Sequence, residues 1–165
     1  MAGTRKRRKA AAPAAGHLVA LDTSCLIALV CGWHEHHAAT TALVQRRLDA
    51  GSTLALAAPA LVEAYSVLTR LPPPHRLAPA DALALLADNF HDDTQTVVLT
   101  AREYWSLLLR APTEGVHGGR TYDAVIAACA RRASARELIT LNLRHFEPFA
   151  DDALAVISPV ERGGA

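Results

Sequence analysis

The sequence predicts an α/β fold on a mainly parallel sheet, and three observations predict it. Short apolar runs alternate with longer stretches of helical periodicity. Gly and Pro fall between these segments. Several apolar runs also end at or just before a carboxylate or an amide, at the strand–helix junctions where parallel sheets bind their ligands.

HLVALD (17–22) reads as a buried strand ending in an acid, and Ser24 stands where it can cap a helix over CLIALVC (25–31), broken by Gly32. In the next helix, 34–51, Ala38, Leu43, Val44 and Leu48 fall close to helical spacing, and Gly51 stops it. TLALA (53–57) is a second strand. Pro59 opens a helix through Leu71, and the prolines at 72–74 end it. A helix over 78–90, a strand over 94–100 and a helix over 101–111 follow. After a loop, the stretch GGRTYDAVIAACA (118–130) starts a nearly all-apolar helix, with Thr121 as its candidate cap and Asp123 in its first turn. Strands over 137–141 and 154–158 close the pattern.

The 165 residues suit one domain, expected over 17–160, after a basic, Ala/Pro/Gly-rich tail over 1–16 that reads as disordered. The N-terminus, through AAAPAAGHLVALDTSCLIALV, imitates a signal peptide, but His17 and Asp22 interrupt its apolar part, and the strand–helix pattern uses that part as structure. No apolar run is long enough to cross a membrane. The net charge of +1 hides an asymmetry: RKRRK (5–9) holds five of the 17 basic residues, leaving 12 against 16 acidic ones and no lysine in the body. RKRRK is either a solubilising tail or an arm that touches RNA. The body has no broad basic face, so any handling of nucleic acid there falls to local arginines or a metal. Cys25, Cys31 and Cys129 lie in apolar surroundings and read as buried thiols in a reducing cytoplasm.

Asp22 ends the first strand, Glu63 lies early in the helix after the second, Asp123 heads its helix, and Asn142 follows strand 137–141. A parallel sheet brings all four to one edge. Glu63 stands out, because Ala60, Leu61, Val62, Ala64, Val67 and Leu68 leave it few polar neighbours, and a Glu in such surroundings is expected to be paired. Three adjacent carboxylates repel one another, and a divalent cation removes the conflict. Oxygen-only ligands favour Mg²⁺, with Mn²⁺ as substitute. Thr23 or Ser24 could hydrogen-bond Asp22 or a metal-bound water. Arg120 and Arg144 could meet phosphate or simply be solvated. The cluster Cys31-Gly-Trp-His34-Glu35-His36-His37 has no zinc-motif spacing and reads as solvated histidines near a helix start.

On VALDTSCLIAL (19–29), PALVEAYSVLTR (59–70), GGRTYDAVIAACA (118–130) and LITLNLRHFEPF (138–149), taken in this order and spacing, the chain resembles the PIN-domain ribonucleases, and most closely the VapC toxins of type II toxin–antitoxin pairs. The resemblance covers about Val19 to Pro159. It implies a three-layer α/β/α sandwich with four or five mainly parallel strands, and metal binding by Asp22, Glu63 and Asp123. It also implies cleavage of structured RNA, tRNA or rRNA, by a metal-activated water, and a cognate VapB-like antitoxin and a homodimer as partners. The family's fourth position, often Asp, is Asn142 here, which removes one charge. A haloacid-dehalogenase-type phosphatase needs a second acid after Asp22, where Ser24 stands, and a receiver domain needs a lysine that the body lacks. A PIN-like module that binds RNA or protein with weak or no catalysis is the remaining alternative.

Overall fold

The structure, a computed structural model, describes residues 16–160; the RKRRK segment and most of the expected tail lie outside the described residues. Five strands, β1 (Leu18–Leu21), β2 (Thr53–Ala57), β3 (Thr94–Val97), β4 (Glu137–Ile139) and β5 (Ala155–Ile157), form one sheet in the order β3-β2-β1-β4-β5. Every pairing is parallel, with Leu21 of β1 set between Leu56 of β2 and Ile139 of β4. The helices are α1 (Thr23–Val30), α2 (His37–Asp49), α3 (Ala58–Arg70), α4 (Pro79–Phe90), α5 (Ala101–Arg110), α6 (Arg120–Arg132) and the short α7 (Leu143–Phe146), followed by a 3-10 turn over Glu147–Phe149. The chain runs outward from β1 to β3 and then returns across the sheet to β4. Right-handed crossovers therefore put α1–α4 on one face and α5–α7 on the other, the expected three-layer sandwich. The reversal of strand order falls between β1 and β4, so the ligand crevice of this topology lies beyond the carboxyl ends of those two strands.

The core is aliphatic. Val19, Leu21, Leu56, Leu138 and Ile139 from the sheet are completely buried, as are Leu26 of α1, Leu68 of α3 and Ala127 of α6. Each such Leu, Ile or Val contributes roughly 1.5–3 kcal/mol by leaving water. The three cysteines are free and buried, as expected from their apolar neighbours. Gly51 ends α2 with φ at +84°, a left-handed conformation that a side chain would strain. No described helix is long and apolar enough to cross a membrane.

Several boundaries differ from expectation for identifiable reasons. Asp22, not Ser24, is the N-cap of α1: its backbone is extended and its carboxylate accepts from the Ser24 backbone N–H. Thr121 does not cap α6, which starts at Arg120 with Gly119 as its cap and no side-chain cap bond, so Thr121 lies inside the first turn. The strand expected over 94–100 stops at Val97, because Thr100 is instead the N-cap of α5 in a reciprocal capping box with Glu103. The helix expected over 34–51 begins only at His37, since His34 and His36 are taken up in a turn closed by His36 N–H donating to His34 Nδ1 at 3.1 Å. The strand expected over 137–141 stops at Ile139 because Thr140 and Leu141 turn into the site. Helix α7 was not legible in the sequence. Its four residues are too few to show a period, and it is pinned by Phe146, which is completely buried.

Candidate active site

The site is built around Asp22, whose side chain is almost wholly buried at the end of β1. One of its oxygens, Oδ2, takes three donors: Ser24 Oγ at 2.6 Å, Thr140 Oγ1 at 2.9 Å and the Ser24 backbone N–H at 3.4 Å. Both hydroxyls are themselves oriented. Ser24 Oγ accepts from Leu141 N–H at 3.1 Å, and Thr140 Oγ1 accepts from Asn142 N–H at 2.9 Å. A hydroxyl that accepts from a backbone amide directs its proton elsewhere, here at Asp22. The turn after β4 thus locks the carboxylate at the end of β1, at the point where the strand order reverses. Burial pushes the Asp22 carboxyl above its ordinary value, and the bonds from Ser24 and Thr140 pull it back toward the ionised form.

Glu63 is exposed on α3, although its neighbours in sequence are apolar. Helical periodicity turns Ala60, Ala64 and Leu68 inward and leaves Glu63 on the outer flank. It is nevertheless paired: Thr23 Oγ1 donates to Glu63 Oε2 at 2.7 Å, which ties α1 to α3. Of Thr23 and Ser24, either of which could bond Asp22, Ser24 does so, and the Thr23 hydroxyl goes to Glu63.

Asp123, in the first turn of α6, is the third carboxylate, with its side chain 16% exposed. Burial raises its pKa most, the charge of Asp22 raises it further, and Glu63 adds to the same effect. His145 of α7 opposes this shift, its Nδ1 lying 3.4 Å from Asp123 Oδ2. The three acids therefore share one electrostatic site. The donor set fits a hard divalent cation, being oxygen-only, acidic and mutually repulsive without one. As placed, no three or more His, Cys, Asp or Glu side chains among the described residues form a group that could hold a metal ion.

Asn142 follows Thr140 at the start of α7, exposed, with no capping bond from its side chain. Its backbone N–H reaches the site through Thr140. Arg120 is half-buried at the start of α6 and Arg144 is exposed on α7, and neither forms an ion pair with the carboxylates. Two residues that sequence reasoning did not single out belong here, Thr140 and His145. Thr140 had a signal, a hydroxyl between Ile139 and Leu141 at the end of a buried strand. His145 had none, because its place opposite Asp123 depends on α7. Cys25, beside Asp22, is buried with its thiol held well above the ordinary value by burial and by the Asp22 charge, which leaves it a packing residue.

A family model for the PIN domain matches residues 19–150. The chain is 41% identical over 132 residues to Ribonuclease VapC40 of Mycobacterium tuberculosis, spanning 80% of this chain and 92% of that protein. It is 39% identical over 126 residues to Ribonuclease VapC27 of the same organism, spanning 76% and 85%. Among solved structures, VapBC2 from Rickettsia felis, bound to a DNA fragment from their promoter, aligns with a TM-score of 0.61 at 18% identity, over 86% of this chain and 98% of that one, and so shares the fold. The chain belongs to the PIN-domain family, and its relatives there include the ribonucleases VapC40 and VapC27.

Proposed function

We propose that the protein is the toxin of a type II toxin–antitoxin pair, an endoribonuclease that hydrolyses phosphodiester bonds of structured RNA and depends on Mg²⁺ or Mn²⁺ held by Asp22, Glu63 and Asp123. What supports this reading is the placement of Asp22 at the end of β1 and Asp123 at the head of α6, by the strand-order reversal, with Thr23 tying Glu63 to α1. When bound, the cation supplies a positioned, activated water and neutralises charge on the phosphodiester.

The chain's own residues prepare the site for that chemistry. Ser24 and Thr140 saturate Asp22 Oδ2 and so fix the plane of the carboxylate. Thr23 holds Glu63 toward α1, and His145 bears on Asp123 from the α7 side. Asn142, beside Thr140, is suited to hydrogen-bond a metal-bound water while adding no charge. Arg120 and Arg144 are free to meet RNA phosphate.

The partner in this reading is a VapB-like antitoxin that places an arginine among the carboxylates, since a guanidinium matches carboxylate geometry and replaces the cation's charge. A homodimer is the other expected assembly. Val62 and Leu83 are 70% and 62% exposed beside Tyr65, lining an apolar groove of about 410 Å³ between α3 and α4. The test is cleavage of cellular RNA by the purified protein with Mg²⁺, Mn²⁺ or a chelator. Cleavage lost on chelation and in Asp22→Ala and Asp123→Ala supports the reading. Cleavage that survives in a folded Asp123→Ala variant overturns the metal mechanism, and RNA binding without any cleavage favours the non-catalytic module.

A further inference from the structure

We propose that Trp33, backed by His75, is a base-stacking subsite for the RNA strand, with Arg76, next to His75 in sequence, to meet phosphate. The inference rests on the ribonuclease reading and adds where the substrate is held. Trp33 and His75 stack with ring centroids 3.9 Å apart at 27°. The indole remains 49% exposed, which leaves ring surface open to a ligand. His34 flanks it at 6.0 Å and His36 lies 5.7 Å beyond, so the rings continue along the surface.

This surface is held in place rather than loose. His37 Nδ1 lies 2.8 Å from the Ala28 carbonyl oxygen, His36 N–H donates to His34, and Arg76 Nε donates to the Leu71 carbonyl oxygen at 2.8 Å. Its position relative to the acids follows from two helices that pack together, α1 and α3. The Thr23–Glu63 hydrogen bond joins them at the acidic site, and the Trp33–His75 stack joins the segments that follow their other ends. The eight residues of α1 span about 12 Å.

The chemistry favours RNA over a protein partner. Residues 31–37 and 70–79 carry four histidines, two arginines and one acid, Glu35. Leu71 and Leu77, which a protein partner could use as anchors, pack against the core. Aromatic faces interleaved with cationic groups are what a single strand needs, because every base has a face to stack and every nucleotide a phosphate.

Trp33 and Trp105 are the two tryptophans, so Trp105→Phe leaves Trp33 as the sole indole reporter. That full-length variant is titrated with a single-stranded RNA oligonucleotide in chelator, where no cleavage occurs, while fluorescence and anisotropy of labelled RNA are followed together. Saturable quenching that tracks binding is expected. Trp33→Ala should weaken binding roughly 5- to 150-fold, the range for one lost stack, and Trp33→Phe should recover most of it. Arg76→Ala should lower the slope of log affinity against log salt by about one. With cation, Trp33→Ala should raise KM and leave kcat largely intact. RNA that binds without changing the fluorescence of Trp33, or quenching by the antitoxin but not by RNA, would overturn the subsite, as would unchanged affinity in Trp33→Ala. Failure of the ribonuclease reading looks different, since the parent protein then cuts no RNA with cation present, whether or not Trp33 reports binding.

Discussion

Thr140 donates its hydroxyl to Asp22 Oδ2 at 2.9 Å across 118 positions of sequence, which joins the ends of the two central strands through one buried bond. Thr140→Val keeps the shape and removes the donor. It should lower unfolding free energy by about 1.5–3 kcal/mol, the usual cost of a lost hydrogen bond to a charged group. Adding Ser24→Ala should give a non-additive result, because both hydroxyls serve the same oxygen. Chemical denaturation of the two single variants and the double variant measures this, and full additivity would show that the two bonds act independently.

Removing one acid should stabilise the metal-free protein. Asp22 and Asp123 both have raised pKa values in the folded chain, so the folded state binds protons more tightly than the unfolded one. Their contribution is full below the ordinary carboxylate range and is lost as pH rises through the folded values, leaving a cost of ionisation at neutral pH. Asp123→Asn removes that cost at one position. Its Tm in chelator at pH 7 should exceed the parent's by a few degrees, and its stability should fall less as pH rises from 4 to 7. Added Mg²⁺ should raise the Tm of the parent and leave that of the variant nearly unchanged.

Asn142→Asp tests whether the exposed amide beside Thr140 faces the cation. The added charge should tighten Mg²⁺ binding about tenfold, or roughly 1.4 kcal/mol. Asn142→Ala should reduce cleavage less than Glu63→Ala, since a hydrogen bond to a bound water contributes less than a direct ligand. Calorimetric titration of the three proteins decides it; affinity unchanged in Asn142→Asp would put the side chain outside the site.

The groove between α3 and α4 gives a prediction about assembly. Val62→Glu and Leu83→Glu place charges on exposed apolar positions, so neither should cost more than about 0.5 kcal/mol in the monomer. Light scattering should show a dimer for the parent and a monomer for the double variant. A dimer that survives both charges would place the interface elsewhere.

What the sequence determined by itself was local or periodic. The alternation of β1, α1, β2 and α3 was legible because each element buries one face, and burial imposes its period on the residues. The parallel sheet then followed, and with it the edge at which Asp22 and Asp123 had to lie. TLALA was legible to the residue because a turn ends on one side of it and Pro59 opens a helix on the other. Tertiary structure decided what depends on distant residues. Asp22, rather than Ser24, caps α1 because Ser24 is claimed by Asp22 and Leu141. Glu63 is exposed because only the packing of α3 chooses which of its flanks faces the core. Thr140 and His145 enter the site through a turn and a four-residue helix too short to carry any period, and α7 is held by the burial of Phe146 rather than by helix propensity. Hydrogen bonds between groups more than a hundred positions apart leave no periodic trace in one sequence. The acids could therefore be read from the chain, whereas the hydroxyls and the imidazole that orient them were set by the fold.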